Sequence, residues 1–139
     1  MWKHKVMRPI PPLRLVLSGG GIRGLSYVGV LLELEKHGFL KHVKEILGVS
    51  CGALFGFAYS IGYSPKELLT FVEQFNFSLI QSVEPETALG FLYNYGVDDK
   101  IQLKKLIYSI LKNKRYNLES TFEELYNKTN FFLRIYATN

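Results

Sequence analysis

The chain has 139 residues, 47% of them hydrophobic, one cysteine, and 17 Lys and Arg against 12 Asp and Glu, for a net charge of +5. This is the size of one ordinary domain able to enclose a core, and a single cysteine excludes an internal disulfide framework. The opening MWKHKVMRPIPPL has no apolar stretch of the kind a secretory leader carries, and no later run reaches the roughly 18 uncharged residues of a spanning helix.

The expectation is therefore an intracellular protein, cytoplasmic or peripheral to membranes, with a basic arm over residues 1–12 and a domain over 13–139. Excess positive charge favours anionic partners, a phospholipid surface among them. Without an arginine-rich run or a cluster of zinc ligands, neither a nucleic-acid partner nor a metal has support.

Elements alternate along the chain. LRLVLS (Leu13 to Ser18) is a short apolar run entering glycines, the pattern of a buried strand. GGGIRG follows, then LSYVGVLLELEKHG, a helix closed by Gly38 in the position of a helix stop. EILGV is a second strand. After Ser50, GALFGFAYSIG carries no charge, so a helix there must be covered on most sides, and Gly52 and Gly56 would let it approach a sheet closely.

Later helices are marked by their caps. Ser64, Pro65 and Glu67 give an N-cap, a proline at the first position and the capping partner three residues on; Thr121 and Glu124 repeat the box. Asp98 or Asp99 starts a helix whose Leu103, Leu106, Ile107, Ile110 and Leu111 form one stripe. Between Phe77 and Val97 the pattern is poor, reading either as a cover over a site or as a plain surface connection. FFLRIYAT reads as a closing strand, and the whole as an α/β fold with a largely parallel sheet.

Two motifs carry chemistry. Gly48-Val49-Ser50-Cys51-Gly52 is a Gly-x-Ser-x-Gly turn at the junction of a strand and a helix, where the glycines relieve crowding and the serine is presented at the tip. Its hydroxyl would lie near the positive end of the following helix, with the Cys51 amide as a first oxyanion donor. SGGGIRG supplies unpaired amides at Gly20 and Gly21, a nest for an anion or an oxyanion.

Gly19, Gly21 and Gly24 also match a dinucleotide fingerprint. That reading requires an acidic residue at the carboxyl end of the second strand, where Val49 and Ser50 stand, and Glu45 is at the wrong end. No Lys-Ser or Lys-Thr follows the glycines, so a P-loop fails as well. A base for Ser50 is missing: His4, His37 and His42 all precede it, and Asp98 and Asp99 are read as helix caps.

LVLSGGGIRGLSYVGVLLELEKHG followed by ILGVSCGALFGFAYSIGYSPKEL resembles the amino-terminal half of a patatin-like phospholipase domain, and GVDDKIQLKKLI, TFEELYNKTN and RIYATN resemble later stretches in the same order. The likeness implies a three-layer α/β/α fold, here truncated after its third recognisable strand. It also implies a serine and aspartate dyad that hydrolyses acyl esters of phospholipids or other lipids without metal or cofactor. Carried over, Ser50 is the nucleophile, Gly48 and Gly52 flank it, and Gly19, Gly20, Gly21, Arg23 and Gly24 form the oxyanion loop with Cys51.

Two departures stand out. The family's Asp-Gly-Gly or Asp-Gly-Ala motif is absent, so the base is expected beyond Asn139, and Cys51 replaces the usual alanine. Arg23 would fix the loop, meet a lipid phosphate or pair on the surface. Beside the hydrolase stand two other readings, a non-catalytic relic that binds lipid surfaces or a protein partner, and an anion-binding module using the nest.

Overall fold

The computed structural model describes residues 12–74 and 100–137. The basic arm up to residue 11, the poorly patterned segment between Phe77 and Val97, and the capping aspartates Asp98 and Asp99 lie outside the described residues.

Strand β1 (Arg14–Leu17) leads through a 3-10 turn (Gly21–Leu25) into helix α1 (Ser26–Lys36). A second short 3-10 turn (Leu40–His42) precedes β2 (Glu45–Val49), from which α2 (Cys51–Ser60) departs without a linker beyond Ser50. Helices α3 (Pro65–Gln74), α4 (Lys100–Asn113) and α5 (Phe122–Thr129) follow, and β3 (Phe132–Tyr136) closes the order. The three strands form one parallel sheet in the order β1-β2-β3, with Leu15, Ile46 and Leu133 in register. This is the expected α/β architecture with a parallel sheet.

Local chemistry explains the boundaries. After α1, Gly38 takes φ 71, and the amides of Gly38 and Phe39 turn back to the carbonyls of Glu35 and Leu34, a left-handed helix stop. Thr121 and Glu124 close a reciprocal capping box on α5, and Ser64 and Glu67 exchange the same bonds at the head of α3. The glycine segment differs from a plain loop: Gly21 adopts φ 54, and the chain then coils as a 3-10 turn with the Arg23 amide donating to the Gly20 carbonyl. Helix α1 accordingly begins one residue later than the sequence pattern gives.

Helix α2 is the buried centre, as its lack of charge requires. Phe55, Phe57 and Ala58 are buried, and a side chain on Gly56 would collide with Ile46, so the helix backbone rests directly on the middle strand. Fully buried Leu31, Ile46 and Leu68 join α1, β2 and α3 to the same core. Of the apolar stripe on α4, Leu106, Ile110 and Leu111 enter this core, while Leu103 is 45% exposed because it borders a groove described below.

The two faces of the sheet differ. In-register partners share a face, so Leu15, Leu17, Ile46, Gly48, Leu133 and Ile135 point toward α2. On the other face Val16 is 71%, Val49 43% and Phe132 49% exposed, although Tyr126 of α5 packs on Phe132 with the ring centroids 4.7 Å apart. At its lower end the Glu45 carboxylate lies between the guanidinium groups of Arg14 and Arg134, tying all three strands together. Partial desolvation raises the Glu45 carboxyl, but the two arginine hydrogen bonds and charges outweigh it and hold the group below its ordinary value.

Candidate active site

Ser50 occupies the one-residue bend between β2 and α2 with φ 52 and ψ −125. A serine there is strained, since the Cβ of an L-residue crowds the backbone at positive φ. The surrounding glycines explain why the bend nevertheless forms. A Cβ on Gly48 would strike the backbone of Ala53, and one on Gly52 would strike the Leu17 carbonyl. The strand can thus reverse into a helix whose first turn presses on the end of β1.

The serine is exposed and terminates the middle strand. The backbone amides of Cys51 and Gly52, in the first turn of α2, have no intrahelical acceptor and sit at the positive end of the helix dipole. Among the described residues no imidazole or carboxylate hydrogen-bonds to the Ser50 hydroxyl.

The glycine segment, 26 or more residues earlier, lies beside this bend. A Cβ on Gly19 would stand 3.3 Å from the Ser50 Cβ. Gly24 abuts Cys51 so closely that any side chain there would overlap the thiol. Cys51 fills the space between Gly24 and the Ser18 carbonyl, its Sγ 3.9 Å from that oxygen. Gly20 and Gly21 are exposed, and nothing crowds the open side of Gly21. Arg23 is exposed and, among the described residues, has no side-chain hydrogen bond or ion pair.

Tyr27 is a residue that sequence reasoning did not single out. Its hydroxyl donates to the Ser18 carbonyl at 2.9 Å and receives the Ser18 hydroxyl at 2.9 Å, while its ring meets Phe55 edge-on. The first turn of α1 thereby pins the start of the glycine segment against α2. The sequence holds no signal for it beyond a tyrosine on an apolar helix face.

The histidines lie elsewhere. His37 follows α1 and bonds Glu33 at 2.9 Å, and His42 sits in the turn before β2. Both are at the amino end of the strands, opposite Ser50.

A groove of about 430 Å³ opens at Ser50 on the side of β3. Ala53, Leu54 and Phe57 of α2 form one wall, and Leu103, Ile107 and Leu111 of α4 the other. Leu118, Ser120 and Phe122 before and within α5 join Ile135, Tyr136 and Ala137 to complete it. Its volume falls in the range of small-molecule sites. Apart from Ser50 and Ser120, every lining side chain is apolar or, for Tyr136, largely so. Of the apolar stripe that the sequence gives α4, Leu103 and Ile107 face the groove, Ile107 also packing against the core.

Comparison with known proteins finds similarity over most of the chain. The model of the family described as patatin-like phospholipase matches residues 15–136. A probable lipid hydrolase, 463L, of Invertebrate iridescent virus 6 is 26% identical over 125 residues, 90% of this chain and 42% of that protein. Lysophospholipase NTE1 of Debaryomyces hansenii is 48% identical over 50 residues, 36% of this chain and 3% of the yeast protein. Among solved structures, full-length ExoU of Pseudomonas aeruginosa in complex with SpcU aligns at TM-score 0.49 and 27% identity, covering 86% of this chain and 22% of ExoU. The chain thus spans less than half the length of these relatives.

Proposed function

Because the chain belongs to the patatin-like phospholipase family, we propose that it is the nucleophile-bearing portion of a lipid acyl hydrolase, acting on carboxylic esters of phospholipids or similar lipids. The observation that carries this reading is Ser50, held at φ 52 at the head of α2, against Gly19 and open to an apolar groove.

In this mechanism Ser50 Oγ gives its proton to an aspartate supplied from outside the described residues and attacks the ester carbonyl carbon. The oxyanion is received by amides of the Gly19–Gly20–Gly21 segment and of Cys51, and removal of one such donor costs about 10² to 10³ in rate. The bond from carbon to the alcohol oxygen breaks, and the alcohol leaves with the proton returned by the base. Water then attacks the acyl-serine, its proton passes to the base, and the fatty acid departs as Ser50 regains its hydrogen. Gly24, packed on Cys51, keeps the two donor segments together. Exposed Arg23 lies on the glycine side and is suited to a substrate phosphate.

The absence of a base on Ser50 among the described residues favours a second reading, a lipid-binding protein without hydrolytic turnover. An alkyl fluorophosphonate separates the two. Covalent labelling of the folded protein that disappears in Ser50→Ala supports the hydrolase, and no labelling of a longer form that includes an Asp-Gly-Gly or Asp-Gly-Ala segment favours the second reading.

A further inference from the structure

The topology gives the site two unlike flanks. Ser50 ends the middle strand; the glycine segment leaves β1 on one side, and the end of β3 lies on the other. Open backbone amides and Arg23 occupy the β1 flank, whereas the β3 flank is the apolar groove. An ester bound across Ser50 therefore has one orientation that buries its hydrocarbon and leaves its polar part among donors.

We propose that the groove between α2 and α4 holds a single acyl chain of about eight carbons, with Phe57 and Leu111 as its floor, and that the alcohol or phosphate part lies over the glycine segment. This rests on the hydrolase reading for its function but not for its binding. Depth is set by burial: Phe57 and Leu111 are 8% and 5% exposed, whereas Leu103, Leu118 and Phe122 stand at 45%, 41% and 57% and form the rim. Length is set by α2. Ser50, Ala53 or Leu54, and Phe57 fall on one helical stripe, so the floor lies seven residues, about 10 Å, below the serine at 1.5 Å per residue. An extended chain of single bonds advances about 1.2 Å per bond, as the ~3.6 Å span of a three-bond peptide residue shows, so about eight carbons reach the floor.

The test is binding of straight-chain alkanoates, butanoate to hexadecanoate below their micellar concentrations, to the 139-residue chain by isothermal titration calorimetry. Expected is an affinity that rises about three- to fourfold per methylene while carbons enter the groove, and levels near eight. Ile107→Trp, midway along the α4 wall, should move the plateau to shorter acids, and Leu103→Asp on the exposed rim should weaken all of them at least tenfold. Both variants are first checked for unchanged circular dichroism.

An affinity independent of length, or rising without a break to sixteen carbons, overturns the proposal. So does a series that neither folded variant alters. Absence of fluorophosphonate labelling in the longer form, with the chain-length dependence retained, counts against the hydrolase alone. Labelling at Ser50 without chain-length dependence counts against the groove alone.

Discussion

Gly52 brings its α-carbon directly against the carbonyl of Leu17, leaving no room for even a methyl group between α2 and the end of β1. Both partners are backbone, so neither can rotate aside. Gly52→Ala is therefore expected to lift the first turn of α2 off the sheet and to cost at least about 2 kcal/mol of stability, at the upper part of the range for overpacking. Urea denaturation of the two proteins checks this. A variant as stable as the parent would show that the helix start can shift freely.

The strain at Ser50 predicts an opposition between stability and function. Its φ of 52 costs a side-chain-bearing residue on the order of 1–3 kcal/mol, whereas glycine accepts this backbone and loses only about 0.5–1 kcal/mol of extra unfolded-state entropy. Ser50→Gly should accordingly be about 1 kcal/mol more stable than Ser50→Ala, although both lack the hydroxyl and neither should react with a fluorophosphonate. Paired thermal melts decide it. Equal stabilities would mean that the bend relaxes when the serine is removed.

These two residues also mark what a sequence makes legible. Gly48, Ser50 and Gly52 are visible because the crowding that selects them is local, within one strand end and one helix turn. The caps at Ser64 and Thr121 and the stop at Gly38 are visible for the same reason. Gly24 against Cys51 and Tyr27 against Ser18 are not, because each contact depends on how one helix docks onto another segment. Glu45 is an instructive case. Its place at the start of β2 excludes a ribose-binding role, but only the register of three strands reveals that Arg14 and Arg134 converge on it. The groove is not legible for a related reason: helical periodicity says which face of α4 is apolar, not that Leu103 and Ile107 border a space between that helix and α2.

Acid should loosen the contact between α3 and α4. Lys114 donates to Glu67 at 2.7 Å, and with the Ser64 amide this holds the Glu67 carboxyl down to about 2 from an ordinary 4.5. A carboxyl depressed in the folded state stabilises fully above its unfolded value and loses that contribution as pH falls through the folded one. The window therefore runs from pH 4.5 down to about 2. Because the Glu67 side chain is 49% exposed, the Lys114 pair is worth at most about 1 kcal/mol in water. Glu67→Gln should lower the melting temperature by a few degrees at neutral pH and flatten its decline below pH 4.5, with Glu45 sustaining what decline is left. A variant whose melting profile parallels the parent's at every pH would remove Glu67 from the acid response.

The more exposed face of the sheet makes the last prediction. Val16, Val49 and Phe132 leave apolar surface exposed on three adjacent strands, bounded at one end by Arg14, Glu45 and Arg134. Apolar area of this kind gains roughly 25 cal/mol for each Å² removed from water, and the edges of β1 and β3, unpaired among the described residues, offer backbone donors and acceptors beside it. The 139-residue chain in isolation should therefore self-associate with rising concentration. Val16→Lys, at the most exposed of these positions, should shift the association to higher concentration without altering the alkanoate series, since Val16 does not line the groove. Sedimentation velocity over a concentration series measures this. A sharp monomer boundary at every concentration, with Val16 intact, would show that the face is stable in water as it stands.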